Sequence, residues 1–127
     1  MVSLVQQPTV YLIDDDDAVR DSICMMLECE GFAVDAYASS EAFLREAHPQ
    51  ENSCAVVDVH MPGMSGLELL DRLRRDNMII PAIVITGKVD ERLVRDVERI
   101  GATLLEKPFR SGALVDCIKG ALGRAEH

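Results

Sequence analysis

Residues 54–59 read CAVVDV, and residues 82–86 read AIVIT. Both stretches are continuous apolar runs, whereas a strand with one solvated face would alternate apolar and polar residues. Strands buried on both faces belong to parallel sheets that helices cover on both sides. The two stretches therefore predict the central strands of an α/β fold. One acidic residue, Asp58, interrupts the first of them.

Strand-like and helix-like patterns alternate along the whole chain. The predicted strands are Val10–Ile13, Ala33–Tyr37, Ala55–Val59, Ala82–Ile85 and Thr103–Glu106. Strict alternation predicts a parallel sheet with right-handed crossovers. For five strands we expect a flavodoxin-like (βα)5 fold with strand order 2-1-3-4-5 and helices on both faces.

Helix boundaries are marked by capping residues. Ser65 followed by Glu68 is a capping-box pair, which predicts the start of the third helix. Gly101 directly follows an apolar helical stripe and predicts the end of the fourth helix. In the acidic run of YLIDDDDAVR (residues 11–20), Asp16 and Asp17 fit the start of the first helix, where carboxylates cap free amides and meet the helix dipole.

Length and composition indicate one domain. The chain has 127 residues, of which 48% are apolar, so we expect a single domain over 1–127 with a packed core at about 9–122. Residues 1–8 and 123–127 are predicted to be a loose lead and a frayed end. The four cysteines show no metal-binding spacing and are predicted to be reduced, packed thiols.

Charge and hydropathy exclude several classes of partner. The net charge of −9 disfavours nucleic-acid binding and contact with an anionic membrane surface. No apolar run reaches the length of a membrane span, and the N-terminus lacks a signal-peptide pattern. We therefore expect a cytoplasmic location.

Polar residues stand where the predicted strands end. Asp14 and Asp15 follow strand 1, Asp58 lies at the end of strand 3, Thr86 follows strand 4 and Lys107 follows strand 5. In the order 2-1-3-4-5 the switch point, where the order of the strands across the sheet reverses, lies between strands 1 and 3, and ligands bind at the carboxyl ends beside that point. The three carboxylates, the hydroxyl and the ammonium are therefore predicted to share one cleft.

Such a cleft suits phosphoryl chemistry. Crowded carboxylates repel unless a cation neutralises them, and oxygen ligands favour a hard ion such as Mg²⁺. An aspartate can act as the nucleophile and form an aspartyl phosphate. Asp58 is the better candidate for that role because it is an isolated acid on an apolar strand, whereas Asp14 and Asp15 form a pair suited to metal. The turn HMPGMSG (residues 60–66) leaves the His60 carbonyl available as a further ligand.

Four ordered motifs carry a family resemblance over essentially the whole chain. They are the DD pair at residues 14–15, DVHMPGMSGLELL at 58–70, VITG at 84–87 and EKPF at 106–109. Together they resemble the receiver domain of two-component response regulators. The wording around Asp58 and Thr86 is closest to the FixJ-type branch, whose receivers usually precede a helix-turn-helix DNA-binding domain.

The resemblance implies a role for each site residue. Asp58 would accept a phosphoryl group from a sensor histidine kinase. Asp15, Asp58 and the His60 carbonyl would hold Mg²⁺ directly, and Asp14 would help through water. Lys107 would pair with a phosphoryl oxygen.

Further positions follow from the same resemblance. Thr86 would hydrogen-bond the phosphoryl oxygens, and Gly87 keeps the approach open for a phosphodonor. The Lys107–Pro108 peptide bond would be cis. The side chains of His60 and Lys88 would tune the lifetime of the phosphoryl group.

Leu104 is a departure from the family pattern. The family usually has an aromatic residue three positions before the lysine, and the segment from Gly101 to Lys107 is one residue short. The usual coupling between a threonine shift and an aromatic flip is therefore in doubt. A leucine at this switch position would repack with a smaller change in surface.

The sequence thus predicts a phosphorylation-controlled signalling switch and not a conventional enzyme. It would catalyse only its own phosphorylation and slow autodephosphorylation. The added charge would draw Thr86 inward and remodel the face of helix 4, strand 5 and helix 5, which would favour a homodimer or contact with an output domain that regulates transcription.

Three alternatives differ in what they require. A receiver-fold interaction module that works without phosphorylation fits the Leu104 departure. A Mg²⁺-dependent phosphohydrolase needs a second acid or base two residues after its nucleophile, where His60 stands, together with a substrate-specific cap. An FMN-binding flavodoxin needs a phosphate loop after strand 1, where four aspartates would repel phosphate.

Overall fold

A parallel five-stranded sheet lies at the centre of the protein in the computed structural model, which describes residues 8–50 and 52–125. Its strands are β1 (Thr9–Ile13), β2 (Ala33–Tyr37), β3 (Ser53–Asp58), β4 (Ala82–Thr86) and β5 (Thr103–Glu106). Their order is β2-β1-β3-β4-β5, and every neighbouring pair is parallel. The predicted fold class and strand order are confirmed.

Five helices alternate with the strands. They are α1 (Asp17–Cys29), α2 (Ser40–Glu46), α3 (Gly66–Arg75), α4 (Glu91–Ile100) and α5 (Ser111–Ala125). The capping box of Ser65 and Glu68 is present, and Gly101 ends α4 in the left-handed conformation with φ of 82°. Helix α5 runs past residue 122, where the core was expected to end. The expectations for residues 1–7 and 126–127 lie outside the described residues.

The boundaries of three strands differ from the prediction. β1 begins at Thr9, one residue early, and β4 includes Thr86. The third strand runs over Ser53–Asp58, whereas the apolar pattern predicted Ala55–Val59. Ser53 extends β3 because it pairs with Thr9 of β1. Backbone pairing with a neighbouring strand sets these limits, and an apolar pattern does not record it.

Each face of the sheet packs against its own helices, because consecutive side chains of a strand point to opposite faces. On one face the buried residues of the central strands contact Ile23 and Leu27 of α1 and Leu114 and Ile118 of α5. The other face contacts α2, α3 and α4. The two buried faces hold the strands, and therefore their carboxyl ends, in fixed relative positions.

The cysteines are thiols, but they do not share one environment. Cys54 is buried and Cys24 and Cys117 are half-buried, whereas Cys29 is exposed. The packed position predicted for Cys29 is wrong because it lies two residues after buried Leu27, on the opposite side of α1.

No helix within residues 8–50 and 52–125 combines the length and the apolar character needed to cross a bilayer.

Candidate functional site

Three acids meet at the carboxyl ends of β1 and β3. Asp14 and Asp15 directly follow β1, and Asp58 is the last residue of β3. One carboxylate oxygen from each lies within 4.8 Å of those from the other two. Asp14 is buried, Asp58 is half-buried and Asp15 is exposed. The structure thus brings together the acids that the strand order placed side by side.

Asp14 is the most constrained of the three acids. It is only 1% exposed, and its Oδ1 accepts a hydrogen bond of 2.9 Å from the Asp16 amide. Its Oδ2 is buried and has no hydrogen-bond partner. Burial raises the pKa of the Asp14 carboxyl, and the charge of Asp58 adds to the rise, while the Asp16 amide and Lys107 oppose it. A buried oxygen without a partner among three acids is suited to a cation, so the donor set fits a metal ion.

Lys107 brings a positive charge to the same acids. Its ammonium nitrogen Nζ lies 3.5 Å from Asp58 Oδ2 and 4.0 Å from Asp14 Oδ2. The lysine follows β5, where its amide donates a 2.7 Å hydrogen bond to the Thr86 carbonyl. The Lys107–Pro108 peptide bond is cis, as the resemblance implies. Lys107 therefore offsets part of the repulsion between the carboxylates and stays within reach of a group bound to Asp58.

The backbone after Asp58 turns sharply away from the site. Asp58 Oδ1 accepts a 3.1 Å hydrogen bond from the amide of His60, whose side chain is exposed. At the start of α3, a Cβ added to Gly66 would lie 2.4 Å from the Asp58 carbonyl oxygen. The start of α3 is thus pressed against the end of β3. The position of the nucleophile candidate depends on this contact.

The Thr86 hydroxyl forms its hydrogen bonds with the backbone of Lys88. It donates to the Lys88 carbonyl at 3.0 Å and accepts from the Lys88 amide at 3.2 Å. The residue is fully buried at the end of β4, while Gly87 and Lys88 are exposed. A Cβ at Gly87 would meet open space. The Thr86 hydroxyl is therefore committed to a tight local turn, and a phosphoryl contact requires it to leave the Lys88 carbonyl.

The four consecutive aspartates have two different roles. Asp16 is the N-cap of α1, because its carboxylate accepts a 3.0 Å hydrogen bond from the Val19 amide. Asp17 begins α1 and pairs with Arg20. The prediction that Asp16 and Asp17 belong to the helix start is confirmed.

Arg20 supports the site and was missed at the level of sequence. Its guanidinium donates a 2.8 Å hydrogen bond to the Asp14 carbonyl while also pairing with Asp17. The spacing of Asp17 and Arg20, three residues apart on one helix, was a signal for the pair. The contact with Asp14 had no such signal.

Leu104, the predicted switch residue, lies in β5 opposite Val84 of β4. It is partly buried and packs on the sheet face that α2, α3 and α4 cover. The structure therefore places it in the core beside α4, two strands away from Asp58.

Comparison with known proteins gives consistent results. The sequence profile of the response regulator receiver domain matches residues 10–119. The transcriptional regulatory protein FixJ of Azorhizobium caulinodans is 44% identical over 117 residues, which are 91% of this chain and 56% of that relative. The chain thus spans somewhat more than half the length of the curated FixJ relatives it matches.

Solved structures agree with the sequence comparison. The crystal structure titled FixJ-N superposes with a TM-score of 0.85 at 40% identity and covers 97% of both chains. Full-length FixJ from B. japonicum superposes with a TM-score of 0.86 at 36% identity, and the match covers 96% of this chain and 61% of that chain.

Proposed function

The chain belongs to the response regulator receiver domain family, and from this we propose that Asp58 accepts a phosphoryl group from a partner histidine kinase in a Mg²⁺-dependent transfer. The observation that carries the proposal is the cluster of Asp14, Asp15 and Asp58, with the buried, unbonded Asp14 Oδ2 inside it and Lys107 Nζ 3.5 Å from Asp58. A FixJ-type receiver is a signalling domain of two-component systems, so the transfer would serve as a switch.

Four groups would hold the metal ion. They are the carboxylates of Asp14, Asp15 and Asp58 and the backbone carbonyl of His60. When bound, Mg²⁺ would neutralise the charge that gathers on the phosphoryl oxygens. The buried Asp14 oxygen, which has no hydrogen-bond partner, supports this assignment, because a cation would offset both its desolvation and its repulsion from Asp58.

The chain's own residues supply the rest of the chemistry. A carboxylate oxygen of Asp58 attacks the phosphorus, the bond between phosphorus and the kinase histidine nitrogen breaks, and its electron pair stays on that nitrogen. Lys107 is near enough to Asp58 to pair with an oxygen of the transferred group. Later attack by water returns inorganic phosphate and the Asp58 carboxylate. The exposed side chains of His60 and Lys88 would tune how fast that water arrives.

Phosphorylation would act through the engaged Thr86 hydroxyl. The new dianionic group competes for this donor, so Thr86 would release the Lys88 carbonyl and turn toward Asp58. Movement of the β4–α4 connection would then reach Leu104, which packs on the face beside α4. The face of α4, β5 and α5 would change and favour a homodimer or an output domain.

The longer relatives indicate what kind of output domain this receiver controls. They are named as transcriptional regulators, and this chain spans 56% of one and 58% of another. We therefore propose that a DNA-binding output domain is joined to this receiver in the full-length protein, in the cytoplasm. With a net charge of −9, the receiver itself would not bind nucleic acid.

Acetyl phosphate provides a direct test without the unidentified kinase. The protein is incubated with acetyl phosphate, with Mg²⁺ or with chelator, and its intact mass is measured. We expect a single phosphoryl adduct that needs Mg²⁺ and disappears in Asp58→Asn. Asp35→Asn, which changes an exposed acid on the edge strand β2, is the matched control and should be phosphorylated like wild type. If no adduct forms, the module that works without phosphorylation becomes the better interpretation. If Asp58→Asn is modified equally, Asp58 is not the phosphoacceptor.

A further inference from the structure

We propose that Glu41, the second residue of α2, is a positioning residue that holds the β3–α3 loop (residues 59–65) and thereby sets the Mg²⁺ affinity of the site. The inference rests on the proposed function, because the loop contains the His60 carbonyl that would bind the ion. It is carried by contacts between two segments that lie more than 20 residues apart in the chain.

One carboxylate oxygen of Glu41 makes the principal contact. Glu41 Oε2 accepts a 3.2 Å hydrogen bond from the amide of Met64. A Cβ added at Gly63 would lie only 2.5 Å from that same oxygen, and Gly63 has φ of +77°. Glu41 therefore sits against the bare backbone of the loop, where a larger residue than glycine would displace it.

A neighbouring residue adds a second contact between α2 and the loop. Ser40 is fully buried, and its hydroxyl donates to the Ser65 carbonyl at 3.5 Å. Ser65 is also the N-cap of α3, so the loop ends on a capped helix. Successive residues of α2 thus contact successive residues at the end of the loop.

Helix α2 is a firm support for these contacts. Phe43 is 1% exposed and makes edge-on ring contacts with Tyr11 and Tyr37, at centroid distances of 5.6 and 5.3 Å. The side chain of Ser39 caps the helix by accepting from the Ala42 amide. Core packing and the cap fix the start of α2. The hydrogen bond from the Met64 amide to Glu41 therefore holds the loop in a fixed position relative to α2.

The other end of the loop is fixed by the site itself. The Asp58 carboxylate accepts from the His60 amide, and the Gly66 amide donates to the Val59 carbonyl at 3.4 Å. His60 therefore lies between an attachment to Asp58 and the attachment to Glu41. Loss of the Glu41 contact would leave the segment from Met61 to Met64 with more conformations. The His60 carbonyl would then pay an ordering penalty when it binds a metal ion.

The test compares three variants by Mg²⁺ titration, read from the backbone amide signals of Val59 and His60 in NMR spectra. Glu41→Ala removes the acceptor and the charge, whereas Glu41→Gln removes the charge and keeps an acceptor oxygen. Glu46→Ala is the matched control, because it removes an equal charge from the same helix at a residue whose ion pair is a 3.9 Å contact with exposed Arg45. Hydrogen exchange of the Met64 amide is measured in parallel.

We expect Glu41→Ala to weaken Mg²⁺ binding about three- to tenfold, the range of one hydrogen bond, and to speed exchange of the Met64 amide. Glu41→Gln should keep most of the Mg²⁺ affinity and most of the exchange protection of the Met64 amide. Glu46→Ala should behave like wild type in both measurements. Equal affinities for wild type and Glu41→Ala would overturn the inference. So would equal weakening in Glu41→Gln and Glu46→Ala, since that pattern reports charge alone. Failure of wild type to bind Mg²⁺ would instead overturn the proposed function, which separates the two.

Discussion

Replacing glycine with alanine should change the stability of the protein in opposite directions at Gly66, which lies against the end of β3, and at Gly120, where a Cβ meets open space. Gly66 begins α3, and a Cβ there would lie 2.4 Å from the Asp58 carbonyl oxygen, 3.1 Å from its carbon and 3.3 Å from a Val57 methyl. Real Cβ atoms essentially never approach within 3.0 Å, so α3 and β3 must separate by at least 0.6 Å, the difference between 3.0 and 2.4 Å. This neighbour is backbone of the central strand β3, which cannot rotate away as a side chain would.

Gly66→Ala should therefore destabilise the protein. Overpacking of this kind costs about 1–3 kcal/mol, and the better helix propensity of alanine returns at most about 1 kcal/mol. Gly120→Ala is the matched control, because Gly120 is exposed in the interior of α5 and an added Cβ meets nothing within 4 Å. That variant should gain about 0.5–1 kcal/mol.

Urea unfolding followed by circular dichroism measures both changes. The two variants should move the midpoint in opposite directions, with Gly66→Ala below wild type. If Gly66→Ala matched or exceeded the stability of Gly120→Ala, the close approach of α3 to the end of β3 would be refuted.

Two further predictions concern the aspartates. Because burial raises the pKa of Asp14 above its ordinary value of 3.8, the folded protein holds a proton there in a pH range where the unfolded chain does not, and ionised Asp14 destabilises the fold at neutral pH. In chelator, Asp14→Asn should thus be roughly 1 kcal/mol more stable than wild type at pH 7. This gain in stability should shrink as the pH falls toward 3.8. A gain that grows on acidification would contradict the raised pKa of Asp14. Asp16→Ala should lose about 1 kcal/mol through loss of the α1 cap, whereas Asp15→Ala should stay within about 0.5 kcal/mol of wild type and weaken Mg²⁺ binding. Thermal unfolding and Mg²⁺ titration of both variants separate these roles, and the reverse pattern would refute the division of the acidic run.

The fold followed from the sequence because its signals are local and repeated. The continuous apolar runs around Val57 and Val84 favoured strands buried on both faces, and their alternation with helical patterns favoured the strand order 2-1-3-4-5. The strand order then predicted which polar residues would meet. Asp14, Asp15, Asp58 and Lys107 converge because parallel strands end at the same edge of the sheet.

What the sequence did not show depends on contacts between distant segments. Glu41 reaches Met64 across 23 residues, and nothing in the spacing of either segment indicates the pair. The hydrogen bonds of Thr86 with Lys88 were also missed, because a strand-end hydroxyl can turn toward its own loop or toward the site. The apolar neighbours of Cys29 predicted a packed thiol, but its position around α1, away from buried Leu27, exposes it.

The location of the phosphoryl group shows whether Asp58 is the phosphoacceptor. The protein is treated with acetyl phosphate and Mg²⁺ and then with borohydride, which reduces an aspartyl phosphate to homoserine, and its peptides are sequenced by mass spectrometry. We expect homoserine at position 58 and unmodified aspartate at positions 14, 15 and 35. Homoserine at any of these other positions, or its absence from position 58, would contradict the assignment of Asp58 as the phosphoacceptor.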